Sequence, residues 1–183
     1  MGHGIAHVTA AAGHEVVLRD VEAGILDDAL EAIDDDLRGA VEHGARTASE
    51  AEAIRERIDT TTDLAPAVTA ADLVVEAVPE NLELKRENAS ETAATAPADA
   101  VLATNTSALS PTEIAAHLDA PGRFVGLHFF NPPHRMDLVE IVLAEQTSEE
   151  TAAFAREFVD GLAKEPVVVT DTAGFATSRL GVL

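Results

Sequence analysis

The sequence predicts a doubly wound α/β fold built on a mostly parallel sheet. Short runs rich in Val and Leu alternate along the chain with helical patterns, the order in which a sheet takes helices on both faces. Several of these runs are apolar at consecutive positions, as in Leu73-Val74-Val75 and Val167-Val168-Val169. A strand covered on both faces needs that pattern, whereas a half-exposed strand would alternate. Near the N-terminus, Gly2-His3-Gly4-Ile5-Ala6 opens an apolar helical stretch that leads through Gly13-His14 into a strand ending on Asp20.

Strands are expected at Glu15 to Arg19, Asp72 to Val78, Ala100 to Thr104, Phe124 to Phe130, Leu138 to Leu143 and Pro166 to Thr170. Between them, helices are expected at Gly4 to Ala12, Glu22 to Glu42, Ser49 to Arg57, Asn81 to Thr95, Pro111 to His117 and Ser148 to Leu162. The helical stretch after Arg19 is unusually long, reaching Ile58, and breaks at His43-Gly44-Ala45-Arg46. Gly44 is a helix stop, and Thr47 or Ser49 is an N-cap for the second helix. An antiparallel helix pair inserted before the next strand is the consequence. Residues 1–171 then read as one domain. Asp171-Thr172-Ala173-Gly174 marks a boundary, and 172–183 read as the start of a further helical domain.

Composition narrows the classes of function. Against 12 Lys+Arg stand 33 Asp+Glu, a formal net charge of -21, and Lys85 and Lys164 are the two lysines. Such a surface repels nucleic acid and anionic lipid. The acidic residues are spread along the chain, with a mild concentration at Asp27, Asp28, Glu31, Asp34, Asp35 and Asp36 that suits a solvated helix face. Together with scarce Lys and no Trp or Tyr, this fits a protein of a halophile's cytoplasm, where salt screens self-repulsion. Cysteine is absent, which excludes thiol catalysis, thiolate metal sites and disulfides. No apolar stretch has the length of a membrane span, and no signal-peptide pattern is present, so a cytoplasmic location is expected.

The order glycine, helix, strand, Asp20 is the second half of a Rossmann-type dinucleotide fingerprint. A carboxylate ending the second strand accepts both hydroxyls of the adenine ribose and repels a 2'-phosphate, so Asp20 favours NAD over NADP; alone, it also reads as a surface Asp closing a strand. A full fingerprint has a first strand and two earlier glycines. Gly2 stands where the third glycine belongs, so the expectation is a chain lacking its first strand, with a gap in the sheet and weak NAD affinity.

Polar residues cluster between Val101 and Val142. Asn105-Thr106-Ser107 follows one expected strand, His128-Phe129-Phe130-Asn131-Pro132-Pro133 ends the next, and Val139-Glu140-Ile141 lies on a third. At the carboxyl ends of parallel strands such residues converge on the ligand crevice. Taken singly each has a structural reading: a histidine after an apolar strand is usually a satisfied structural residue, and Glu140 could pair with an arginine such as Arg135. Glu76, within its strand, is either near the cofactor or bonded to backbone. His3, His7, His14, His117 and His134 show no spacing that makes a metal site.

Taken together, the motifs Gly-His-Gly-Ile-Ala at Gly2, Val-Val-Glu-Ala-Val-Pro-Glu-Asn at Val74, Asn-Thr-Ser at Asn105, His-Phe-Phe-Asn-Pro-Pro at His128 and Val-Glu-Ile at Val139 make the chain resemble the NAD-binding domain of L-3-hydroxyacyl-CoA dehydrogenases. The resemblance runs from Met1 to Leu183. It implies oxidation of the 3-hydroxyl of an acyl-CoA, with hydride passing to NAD. It also implies His128 as general base, Glu140 as the group that orients and stabilises its imidazole, Ser107 as a hydrogen-bond partner of the reacting oxygen, and Asn131 in the same site. Gly2, Asp20, Glu80, Lys85 and Asn105 match cofactor-binding positions. The family's helical C-terminal domain, which makes its homodimer contact, is almost wholly outside this chain.

Two departures stand out. Gly174-Phe175-Ala176-Thr177-Ser178-Arg179 has Ser178 where the family usually has a substrate-holding Asn, and the helix pair supplies few basic residues for coenzyme A phosphates beyond Arg38, His43 and Arg46. Two other readings stay open: a related dehydrogenase of another 3-hydroxy acid, such as a sugar acid, and a non-catalytic gene fragment.

Overall fold

The computed structural model of the chain describes residues 1–172. The expected helical opening over Phe175 to Leu183, with Ser178, lies outside the described residues. The chain divides into two compact units, one formed by Met1–Ala67 with Asn131–Arg135, the other by Val68–Phe130 with the residues from Met136 on.

The first unit contains α1 (Gly2–Ala11), β1 (Val16–Arg19), α2 (Ala23–Glu42), α3 (Ala48–Glu56) and β2 (Ile58–Thr61). On α2, Leu26, Leu30, Ile33 and Leu37 recur every three or four residues, and this stripe faces inward while Asp27, Asp28, Asp34 and Asp35 between them face water. Ile33 and Leu37 pack with Ala10 of α1, Ile54 of α3 and Ile58 of β2. The chain leaves α2 through Gly44 at φ +71, a left-handed turn that glycine adopts without strain. Thr47 then caps α3 in a reciprocal box: its hydroxyl accepts from Glu50 N at 3.2 Å, and Glu50 Oε2 accepts from Thr47 N at 2.7 Å. Of the two expected caps, Thr47 is the one used.

The strand β2 is absent from the expected elements. Its residues Ile58-Asp59-Thr60-Thr61 hold a single apolar side chain, so periodicity does not mark it. Parallel pairing of Val16 with Ile58 through Arg19 with Thr61 makes it a strand, and only Ile58 is buried. A short helix, α4 (Leu64–Val68), comes next and is likewise absent from the expected elements.

The second unit contains β3 (Leu73–Glu76), α5 (Leu82–Thr95), β4 (Val101–Thr104), α6 (Pro111–Ala115), β5 (Phe124–Phe129), β6 (Leu138–Leu143), α7 (Glu149–Gly161) and β7 (Glu165–Thr170). Its sheet has the order β3-β4-β5-β6-β7. Pairing is parallel except between β5 and β6, which run antiparallel. A short loop is enough to join antiparallel neighbours, whereas β6 reaches its parallel neighbour β7 by way of α7. The described strands thus form two ladders, β1-β2 and the five-stranded sheet, rather than one continuous sheet.

Strand β5 is buried along its whole length, which accounts for its unbroken apolar pattern. Strand β7 has the same pattern for a different reason. It is the last strand of its ladder, and Val167 and Val168 are partly exposed. Gly126 in β5 allows close packing, since a Cβ there would lie 2.8 Å from Val142 Cβ and 3.0 Å from Pro111 Cγ. Among the described residues no helix is long and apolar enough to cross a membrane.

Candidate active site

The antiparallel turn from β5 to β6 sets His128 opposite Glu140 in the ladder. Side chains so placed project from the same face about 5 Å apart, and here His128 Nδ1 meets Glu140 Oε2 at 2.7 Å. Glu140 is fully buried and His128 nearly so. Glu140 lies on β6, the strand expected at Leu138 to Leu143. It sits in mid-strand, as those bounds place it, and the antiparallel register brings it to the histidine. A carboxylate here can only accept, so Nδ1 carries the proton of the neutral ring and Nε2 the lone pair. The imidazole also packs on Phe130, ring centroids 4.4 Å apart.

The loop after β4 is held by Glu80. Its Oε1 accepts from Thr106 Oγ1 at 2.6 Å, Ser107 N at 2.9 Å, Ala108 N at 3.1 Å and Ser107 Oγ at 3.3 Å. Burial alone would raise the Glu80 pKa, but it is outweighed by the bonds from Thr106 and Ser107, the charge of Lys85 and the bond from Ala108, so the value is lowered. Thr106 turns the same loop by accepting from Leu109 N at 2.9 Å.

Lys85 on α5 is completely enclosed. Its ammonium donates to Glu76 Oε1 at 2.8 Å, Val78 O at 3.1 Å and Asn105 O at 3.3 Å, and Glu80 Oε2 stands 3.6 Å away. Glu76 resolves toward the second of its two readings. Besides Lys85 it accepts from Val78 N at 2.5 Å and from Thr104 Oγ1 at 2.7 Å, joining the ends of β3 and β4. Asn105 extends the network to the histidine strand, its Oδ1 accepting from Phe129 N at 3.0 Å. Ser107, Glu80, Lys85, Asn105, His128 and Glu140 therefore belong to one unit, with Glu76, Thr104 and Thr106 as supports that sequence reasoning did not assign. The signal available was their position at the carboxyl ends of parallel strands.

Asp20, Gly2 and Asn131 lie in the other unit. Asp20 follows β1, and its Oδ1 accepts from Glu22 N at 3.2 Å. Beside it in the chain, Val21 is 68% exposed and Ile25, in the first turn of α2, 46%. Asn131 is exposed. Gly2 opens α1 in ordinary contact with Leu18, 3.7 Å from where a Cβ would be. Gly4 is the tighter position, because a Cβ there would lie 2.8 Å from Pro133 Cδ.

The sequence spacing of the histidines marks no metal site, yet the fold brings two of them together with an aspartate. His7 of α1, Asp36 of α2 and His134 of the 131–135 segment each bring a ligand atom within 4.8 Å of the others. They come from three distant stretches of chain, so no sequence spacing announced them.

The family model described as 3-hydroxyacyl-CoA dehydrogenase, NAD binding domain, matches residues 1–172. Over 180 residues the chain is 41% identical to 3-hydroxyadipyl-CoA dehydrogenase of Escherichia coli, covering 98% of this chain and 38% of that protein. It is 39% identical over 180 residues to the fatty acid oxidation complex subunit alpha of Idiomarina loihiensis, covering 98% of this chain and 25% of that one. Among solved structures, 3-hydroxybutyryl-CoA dehydrogenase from Escherichia coli aligns with a TM-score of 0.96 at 40% identity, over 99% of this chain and 38% of its own. The chain thus spans a quarter to two-fifths of the length of these relatives.

Proposed function

This chain belongs to the 3-hydroxyacyl-CoA dehydrogenase family, as its NAD-binding domain, and we propose that it serves the NAD-dependent oxidation of a 3-hydroxyacyl-CoA to the 3-ketoacyl-CoA in fatty acid β-oxidation, or the reverse reduction. The observation that carries this reading is the His128 and Glu140 pair at 2.7 Å. The complete protein, on the same reading, is a homodimer joined through a helical domain.

The first unit has groups that suit the cofactor. Asp20 is an acceptor at a strand end, matched to ribose hydroxyls and opposed to a 2'-phosphate. The exposed Val21 and Ile25 offer apolar surface to a flat base. Gly2 leaves the start of α1 without a side chain. NAD, when bound, supplies the hydride acceptor.

The chain's own residues supply the proton chemistry. Hydride leaves C3 readily only as the hydroxyl gives up its proton, and His128 Nε2 receives it. Glu140 keeps that nitrogen unprotonated beforehand and stabilises the imidazolium afterwards, since its negative charge lies fully buried against Nδ1. Ser107 holds the reacting oxygen. Glu80 sets the backbone of the Ser107 loop, and Lys85 holds Glu76, Glu80 and Asn105 in fixed relation. In this reading Lys85 acts on the cofactor site by positioning, because its enclosed ammonium is already shared among protein acceptors.

The test is an assay of the complete reading frame that carries this chain, with NAD and either 3-hydroxybutyryl-CoA or longer 3-hydroxyacyl-CoA substrates. His128→Gln is expected to lower kcat by on the order of 10²- to 10⁴-fold and to change NAD affinity by less than about twofold. Near-wild-type turnover in that variant sinks the assignment.

A further inference from the structure

His7 is 92% enclosed by side-chain area, at 8% exposure, and its Nδ1 has no hydrogen-bond partner. An imidazole nitrogen left so is costly unless something ligates it. Asp36 Oδ2 stands 3.8 Å away, too far for a hydrogen bond. That same oxygen lies 3.2 Å from His134 Nδ1, and the His7 and His134 rings are 5.9 Å apart between centroids. Two ligands bound at about 2.1 Å to one ion stand at most about 4.2 Å apart. Both measured gaps fit around a shared ion.

The surroundings agree. Neighbouring Asp34 and Asp35 are taken up by Arg55 and Arg38, whereas Asp36 faces the two imidazoles. Asp36 is the largest charge acting on His7, ahead of Arg46. Nitrogen and carboxylate donors without thiolate suit zinc, nickel or cobalt(II) over magnesium or calcium, which prefer oxygen alone.

We propose that His7, Asp36 and His134 form a binding site for a divalent transition metal ion of the zinc class. The ion ties the 131–135 segment to α1 and α2. Because the catalytic pair lies elsewhere in the chain, the site is structural in role and independent of the dehydrogenase reading.

The test uses the chain after treatment with chelator, titrated with zinc chloride in millimolar magnesium to occupy nonspecific surface carboxylates. Calorimetry is expected to show one zinc per chain, with a raised Tm, and cobalt(II) is expected to give visible d–d absorption. His134→Ala and Asp36→Asn, whose side chains are partly exposed, should weaken zinc by at least roughly 100-fold, beyond the cost of losing an outer partner. Exposed His117→Gln should leave binding unchanged. Circular dichroism establishes that each variant is folded before titration. No zinc binding, or binding that the His134 and Asp36 variants leave intact, overturns the proposal.

Discussion

Glu140 stands directly across the ladder from His128, completely buried, its Oε2 2.7 Å from the imidazole Nδ1. The pairing needs no long-range loop. It is a property of the antiparallel register between β5 and β6, so the geometry is as rigid as the sheet. Glu140→Gln keeps an oxygen able to accept from Nδ1 and the same shape, while removing the charge that stabilises the imidazolium. The expected outcome is a fall in kcat of on the order of 10²-fold or more, with little change in NAD affinity. Steady-state kinetics of the complete reading frame, beside calorimetry with NAD, checks both halves.

Lys85→Met removes a fully buried cation from Glu76, whose side chain is only 8% exposed. The carboxylate is then left without its counter-charge, and stability is expected to fall by about 3–5 kcal/mol. Adding Glu76→Gln should recover part of that loss, because no unpaired charge remains. Urea unfolding of the two variants beside the parent measures it. A lysine worth nothing at this position would leave the midpoint unmoved.

Glu80 predicts a pH dependence. Its folded pKa is lowered from the ordinary 4.5, because the bonds from Thr106, Ser107 and Ala108 and the charge of Lys85 exceed the opposing effect of burial. Above 4.5 the ionised form is present in both states and the folded state gains from it. As pH falls below 4.5 the unfolded chain takes up the proton first, and the gain is lost through the folded value. Glu80→Gln should therefore be less stable than the parent at neutral pH, with the difference shrinking below pH 4.5. Tm measured against pH in both proteins reads this directly.

The net charge of -21 predicts a response to salt. Carboxylates repel one another over a Debye length that shrinks from about 10 Å at 0.1 M to about 3 Å at 1 M ionic strength. Tm is expected to rise steadily as KCl is raised into the molar range. A folded chain with the same Tm in dilute buffer would remove the halophilic reading.

Local pattern was enough for most elements. The Val-rich runs and the three-and-four spacing on α2 placed strands and helices within a residue or two of where they lie, because burial of one face imposes its period on the sequence. The cap at Thr47 and the turn at Gly44 were legible for the same reason, as the chemistry there is local. Strand β2 escaped because it is a strand by pairing with β1, not by its own apolar content.

The candidate site divides along the same line. His128, Glu140, Ser107 and Asn105 could be named from motifs, since each sits in a short recognisable stretch. That Glu140 reaches His128 across an antiparallel pair, that Lys85 is sealed beneath Glu76 and Glu80, and that His7, Asp36 and His134 converge could not be read from the linear order. Composition and periodicity determined the α/β class, the acidic surface and the residue types available for proton transfer. Only the tertiary structure decided which of those residues touch, because strand register and helix packing set distances between positions that the sequence keeps far apart.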